Sequence, residues 1–164
     1  MQSENPPNSV IVTEQALDRE AVSALVARRI PVILQRCNLE GADLSRQSFA
    51  GWTFDSCRLS RATFTGAKLI ETRWSGCRGP FADFTGADLS ESEITGCDFN
   101  NGGFRGVTLT SSSLKRCKLT GANFAEARTL GCDFEEIIFA DARLPGFSFP
   151  PETTRLQRRR CFPL

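Results

Sequence analysis

The sequence predicts an all-β chain wound into a four-sided solenoid, and three observations carry that reading. From Leu34 to Phe149 a large apolar residue returns every five positions, and of the 24 positions in this register only Gly79 and Thr129 are out of type. A helix places apolar residues three and four apart and a strand places them two apart, so a fixed spacing of five points to a repeat. Second, the residue two before each large one is small in 20 of the 24 units, as at Ala42, Cys57, Ala62 and Ala82. Residues two apart share a side of an extended backbone, so each unit is a short leg with one large and one small side chain facing inward. Third, Cys37, Cys57, Cys77, Cys97 and Cys117 are spaced by 20, all in the small slot. A period of 20 over a period of five means four legs per coil, with like residues stacked. Six coils at about 4.8 Å each give a rod about 29 Å long, with parallel strand pairing from coil to coil.

The remaining positions of each unit fit the same picture. Ten of the 13 glycines lie two residues after the large one, where the chain must turn. The position just before the large residue is mostly polar (Asp43, Arg58, Lys68, Arg78, Asp88, Asp98, Lys118) and is expected to face water. Two places break the pattern. At Cys77-Arg78-Gly79-Pro80-Phe81 the large residue is missing, and either Phe81 folds inward or it is a surface contact. The inward reading is preferred, because burying a Phe is worth about 1.5–3 kcal/mol. At Ala127-Arg128-Thr129-Leu130 a one-residue shift is expected to put Leu130 in the place of Thr129. Trp52 is a large residue in a small slot, which a looser second coil explains.

Units such as Cys37-Asn38-Leu39-Glu40-Gly41, Ala42-Asp43-Leu44-Ser45-Arg46, Ala87-Asp88-Leu89-Ser90-Glu91 and Ala122-Asn123-Phe124-Ala125-Glu126 resemble the pentapeptide-repeat family. The resemblance covers about 120 of the 164 residues. It implies a right-handed quadrilateral β-helix. It also implies end-to-end dimers, as in many members, and in some members a DNA-shaped decoy surface that binds bacterial DNA gyrase. Fold follows from such a resemblance; function does not, because one fold serves many functions.

In chain order, residues 1–31 are read as a disordered start, Met1 to Ser9, followed by a short strand at Val10 to Val12 and a capping helix. Thr13 is the expected N-cap, Glu14 suits the helix start, and Arg28 and Arg29 suit its end. Leu17, Ala21, Val22, Ala24, Leu25 and Val26 would give the apolar face, and Pro31 would close the helix over the first coil. Residues 32–151 form the β-helix, with a heavily apolar last coil. Residues 152–164 form a basic tail carrying Arg155, Arg158, Arg159, Arg160 and Cys161. That tail could bind nucleic acid or anionic lipid; a solvated tail, or a contact to acids of a second protomer, is preferred.

The composition bounds the function. Net charge is +1, which indicates neither a nucleic-acid binder nor an acidic mimic, and no direct nucleic-acid contact is expected. No signal segment and no long apolar run is read, so a cytoplasmic protein without a membrane span is expected. Seven cysteines is an odd number, which favours reduced thiols. A column of thiols does not converge on a point, so no metal site is expected and cysteine serves as a small buried hydrophobe. With no histidine, no tyrosine and no recurring acid–base pair, neither catalysis nor a cofactor is expected.

Charge placement singles out a candidate partner-binding set. Asp83, Asp88, Glu91, Glu93 and Asp98 fall on successive sides as a belt around the rod, while side two reads Asn38, Arg58, Arg78, Asp98, Lys118 along the axis. A DNA decoy needs negative charge running lengthwise, so this order counts against close mimicry. The expected function is a non-enzymatic, rigid protein-binding module. The alternatives are DNA-mimic binding of DNA gyrase or topoisomerase IV, with quinolone or toxin protection, and a bacterial effector scaffold. A homodimer through the C-terminal coil is expected, with Ile138, Phe147, Phe162 and Leu164 at its interface.

Overall fold

The computed structural model describes residues 8–146. Seven short strands form one parallel sheet in chain order: β1 (Val10–Thr13), β2 (Val32–Gln35), β3 (Thr53–Asp55), β4 (Arg73–Ser75), β5 (Glu93–Thr95), β6 (Ser113–Lys115) and β7 (Asp133–Glu135), with the helix α1 (Arg19–Val26) between β1 and β2. From β2 onward the register is one coil per 20 residues: Leu34 pairs with Phe54, Phe54 with Trp74, Trp74 with Ile94, Ile94 with Leu114 and Leu114 with Phe134. Single parallel bridges repeat this register on the other three faces. Face two stacks Asn38, Arg58, Arg78, Asp98, Lys118 and Ile138; face three stacks Asp43, Thr63, Asp83, Gly103, Asn123 and Arg143; face four stacks Ser48, Lys68, Asp88, Thr108 and Arg128. The molecule is a four-sided β-solenoid of about six coils.

The inward columns make one continuous core. On face one Phe54 and Trp74 stack at 3.9 Å between centroids, 5° from parallel. On face three Phe64, Phe84, Phe104 and Phe124 stack at successive centroid distances of 5.1, 5.0 and 4.6 Å. Like residues meet because a parallel coil-to-coil register sets each side chain on its equivalent one strand spacing away.

Every corner has the same backbone. The residue two after the large one has positive φ at all corners from Arg36 to Gly146: ten are glycine and thirteen are not. On faces two, three and four the described corners, except the one after Leu44, are closed by an N–H to carbonyl bond three residues back, as in Ala62 to Leu59 at 2.9 Å, Ala67 to Phe64 at 2.9 Å and Ser92 to Leu89 at 3.2 Å. Positive φ at the third residue of such a turn is the type II requirement. The corners after Phe54, Trp74, Ile94 and Leu114 on face one lack that bond. These are the corners that the cysteine column follows. Cys77 Sγ donates to the Phe54 carbonyl at 3.2 Å, and Cys57 and Cys117 reach the Leu34 and Ile94 carbonyls at 3.4 and 3.5 Å.

The N-terminal end differs from the expectation in several respects, and Arg28 and Arg29 lie beyond the last turn of the helix, which ends at Val26. Thr13 is not the N-cap: it ends β1, and the cap is Asp18, whose carboxylate accepts from Ala21 N–H at 2.9 Å. Glu14 lies outside the helix, with φ 55°. Residues 14–17 instead form a leg of face two, where Ala16 bridges Asn38 and Leu17 joins the core. The helix then replaces faces three and four of this extra coil: Arg19 bonds the Asp43 carbonyl at 2.9 Å, Gln47 Nε2 donates to Ser23 Oγ at 3.0 Å, and Val22 is fully buried. Ala24, expected on the apolar face, is exposed.

Two further expectations are corrected. Phe81 does not fold inward; it is 54% exposed, because it occupies a left-handed corner whose side chain points away from the core. The space above Gly79 is taken by the Phe99 ring of the next coil, which lies 2.9 Å from where a Gly79 Cβ would stand. Leu130 likewise does not replace Thr129. The register holds, Thr129 keeps the central place with its carbonyl accepting from Cys132 N–H at 3.0 Å, and Leu130 is 80% exposed. Trp52 is buried, edge-on to Phe49 at 5.0 Å.

Candidate interaction surfaces

The groups that look chemically able are mostly committed to the fold. Cys37, Cys57, Cys77, Cys97, Cys117 and Cys132 are all free and buried. Donation to Cys117, with burial behind it, pushes the Cys97 thiol up to about 12. Donation to Cys77 and burial raise Cys57 likewise, and Cys117, which receives the bond from Cys97, goes the other way. Burial, helped by the charge of Asp133, pushes Cys132 up to about 12. The raised thiols Cys57, Cys97 and Cys132 are poor nucleophiles, since the thiolate is the reactive form, and Cys117 is buried.

The small slots of face one hold buried hydroxyls that the sequence reading did not single out. Thr72 Oγ1 donates to the Leu69 carbonyl at 2.6 Å and receives the Trp74 indole N–H at 2.9 Å. Ser92 and Ser112 donate to the Leu69 and Leu89 carbonyls at 2.8 and 2.7 Å. Their signal was the run Thr72, Ser92, Ser112 at spacing 20. Buried hydroxyls need partners, and these carbonyls supply them.

The acidic belt separates into two kinds of residue. Asp83, Asp88 and Asp98 each accept the backbone N–H two residues on, from Thr85, Ser90 and Asn100 at 2.9, 3.0 and 3.2 Å. Asp43 does the same with Ser45, and the Ser45 hydroxyl and N–H hold its carboxyl below the usual carboxylate value. These are local Asx turns, which brace the leg as it enters the corner. Asp83 also takes the hydroxyls of Thr85 and Thr65 at 2.6 and 3.3 Å. Glu93 and Glu91 stand further out: Glu93 faces Arg73 at 3.9 Å, and Glu91 occupies an exposed left-handed corner. The belt therefore shares its carboxylates between bracing the rod and facing water.

The two basic candidates also differ. Arg58 is held by Glu40, through Nε at 3.2 Å and Nη2 at 3.0 Å. Arg78 is exposed and, among the described residues, has no carboxylate partner. Beside it lies a contact that charge counting missed: the Arg61 guanidinium sits 5.5 Å from the Phe81 ring centroid. Of the expected dimer contacts, Ile138 is the last described member of the face-two column and is 37% exposed, while Phe147, Phe162 and Leu164 lie outside the described residues, as does the basic tail. Among the described residues no group of three His, Cys, Asp or Glu is placed to hold a metal ion, and no helix is long and apolar enough to cross a membrane.

A continuous core stacked in one register, with mostly polar outward side chains on four faces, defines a repeat-built β-solenoid. The chain belongs to the pentapeptide-repeat family, whose model (Pentapeptide repeats) matches it in 8 copies across residues 34–66, 57–101, 89–125, 104–139 and 117–146. Among solved structures, a trypsin-treated form of QnrB1, a plasmid-mediated fluoroquinolone resistance protein, is 18% identical over 85% of this chain and 75% of that one, with a TM-score of 0.37. A pentapeptide repeat protein from the thylakoid lumen of Arabidopsis thaliana is 23% identical over 71% and 68%, with a TM-score of 0.29. HetL, a pentapeptide repeat protein involved in heterocyst differentiation regulation in the cyanobacterium Nostoc, is 20% identical over 90% of each chain, with a TM-score of 0.29. At these identities the likeness is one of fold alone. Comparison with curated proteins finds no match.

Proposed function

We propose that the protein is a rigid, non-enzymatic protein-binding rod. The observation that carries this reading is the set of large apolar side chains left outside the core: Leu130 at 80%, Phe81 at 54%, Ile11 at 50% and Ile138 at 37% exposed. Exposed apolar side chains on a stiff, regular surface suit association with another protein, since little ordering is lost on binding. The thiols and hydroxyls of the interior are used by the fold, and this supports a non-catalytic role. Six free, buried thiols suit a reducing compartment, which supports the cytoplasm as the proposed location.

The proposal includes a homodimer through the last coil, where Ile138 interrupts the polar face-two column. DNA gyrase and topoisomerase IV are the less favoured partners. The face-two order Arg58, Arg78, Asp98, Lys118 breaks any lengthwise run of negative charge, and three of the belt carboxylates are engaged with their own backbone. An effector scaffold has no observation of its own in favour. Cross-linking in the native cell, followed by titration of each purified candidate against the purified rod, tests the central reading. A saturable complex weakened by Leu130→Asp, Phe81→Gly or Ile138→Asp is expected. Failure of every cross-linked candidate to bind the purified protein would overturn it. A supercoiling assay with and without a quinolone settles the topoisomerase alternative, and light scattering the dimer.

A further inference from the structure

We propose that the corner built from Arg61, Arg78, Pro80 and Phe81 docks an acidic segment of a partner protein, with an apolar residue of that segment seated on Phe81. This rests on the protein-binding reading above and adds where the partner sits and what chemistry it presents.

Phe81 is the outlier from which the inference starts. All other non-glycine corners in the repeat are Arg, Ser, Glu, Asn or Asp, and Phe81 is the one apolar side chain held at positive φ, 60°. That backbone is unfavourable for a bulky residue, and the ring is 54% exposed. Nothing in the core requires it, since Phe99 already fills the space over Gly79. A strained and exposed aromatic that the fold does not use points to function. Pro80, next to it, is half-buried, so the two residues make a short apolar step on the outside of the rod.

The surroundings choose the partner. Arg61 lies over the Phe81 ring at 5.5 Å. Arg78 stands directly above Arg58 on face two. Arg58 is neutralised by Glu40 at 3.0 Å, whereas neither Arg61 nor Arg78 has a carboxylate within reach among the described residues. Guanidinium groups left free in this way are forks for a carboxylate, and Arg is among the residue types enriched at the hot spots of protein interfaces.

The patch is also short. Asp98 follows Arg78 on the face-two column, Asp83 lies around the corner from Phe81, and Glu40 lies below. Positive charge therefore extends over two coils, about 10 Å. A nucleic-acid strand gains affinity by engaging many phosphates along a groove. Two free cations flanking an apolar step fit instead a peptide stretch with one or two Asp or Glu beside an apolar anchor.

The test is a selection of randomised peptides displayed on phage against the full-length protein, with counter-selection on Phe81→Gly. Peptides retained only by the native protein should be enriched in Asp and Glu and carry an apolar residue. Made synthetically, they should bind Phe81→Gly and Arg78→Glu at least about tenfold more weakly, with affinity falling as salt rises. Phe81→Gly should leave the thermal midpoint unchanged or raise it, because glycine relieves the corner. A lowered midpoint in Phe81→Gly would show that the fold does need the ring, and would overturn the proposal. So would enrichment without acidic residues, or a selection yielding no peptide that depends on Phe81. A short single-stranded oligonucleotide that binds the native protein and is lost on both substitutions would replace the acidic peptide with nucleic acid. Peptides that bind but ignore both substitutions sink this site while leaving the broader protein-binding reading intact. That reading falls only if the reconstitution with purified partners fails.

Discussion

At each corner the residue two after the core side chain takes positive φ, and the cost of that backbone falls on its Cβ. Gly86 isolates the effect: φ is 65° and an added Cβ would meet nothing within 4 Å. Gly86→Ala should therefore cost about 1 kcal/mol through backbone strain alone, and Glu71→Gly, at φ 57°, should move stability in the opposite direction. Urea midpoints of the two variants check both signs. Gly79 is the contrast. Its φ is ordinary, but a Cβ would stand 2.9 Å from the Phe99 ring and 3.1 Å from Leu59, so Gly79→Ala tests packing instead. The corner was only partly legible in the sequence. Glycine marks ten corners, yet thirteen others share their backbone with ordinary side chains, and at Phe81 the expected gain from burying a ring outweighed the corner position that the register of five assigns to it. Titration adds a second residue-scale prediction. The Cys132 thiol is raised from 9.0 to about 12 in the folded chain. A raised acid stays protonated in the fold while the unfolded chain ionises. Its contribution is thus whole below about pH 9 and is lost as pH climbs towards 12. The thermal midpoint of the native protein should fall more steeply over that window than the midpoint of Cys132→Ala. Parallel curves would contradict a buried neutral thiol at this position.

At the scale of the leg, stability comes from stacking like on like. Phe104 lies between Phe84 at 5.0 Å and Phe124 at 4.6 Å, both nearly parallel to it, and Leu89 is buried in the adjoining column. Phe104→Ala should cost about 3–5 kcal/mol and Leu89→Ala about 2–5 kcal/mol, because each removes a side chain that the neighbouring coils cannot close over. A midpoint unchanged in either variant would contradict the stacked core. In a linear array each coil contacts only its neighbours, so a gap in the middle should also broaden the transition. The legs themselves were readable from the period of five, and their stacking from the period of 20, because a parallel register repeats what the sequence repeats. The face-two order Asn38, Arg58, Arg78, Asp98, Lys118 was correct for that reason. The N-terminal helix was misplaced for a related one. Val12, Leu17 and Val22 repeat the spacing of five, two residues out of step with the series from Leu34, and all are buried; that shift and the helical spacing of Leu17, Ala21 and Leu25 mask the extra leg.

For the whole molecule, the sheet must end somewhere, and an open end presents unpaired backbone groups together with a bare core layer. At the N-terminal end two devices meet that demand. β1 pairs with β2 along Val10 to Thr13, and residues 14–17 with α1 cover the other faces, placing Leu17 and Val22 over the first complete coil. The candidate site was less legible than this architecture, because it depends on which charges the fold consumes. Asp83, Asp88 and Asp98 look like free acids in the sequence and turn out to brace corners, while Arg61 drew no notice until its guanidinium was seen over Phe81. The cap supplies the test of the molecule as a rod. Deleting residues 1–31 removes β1 and α1 and leaves Val32, Leu34, Leu39, Leu44 and Phe49 as an uncovered layer beneath the open edge of β2. Coils further along contact only their neighbours, so they should remain folded and the β signal in circular dichroism should persist. The new end should then pair with another copy of itself, giving concentration-dependent association by light scattering that the intact chain does not show at that end. Restoring β1 and α1 with Val22→Asp should give a partial effect, since the edge is paired again while the apolar cover is broken. A truncated protein that stays folded and keeps the association state of the intact chain would mean that the first coil needs no cover, and the capping role of β1 and α1 would have to be abandoned.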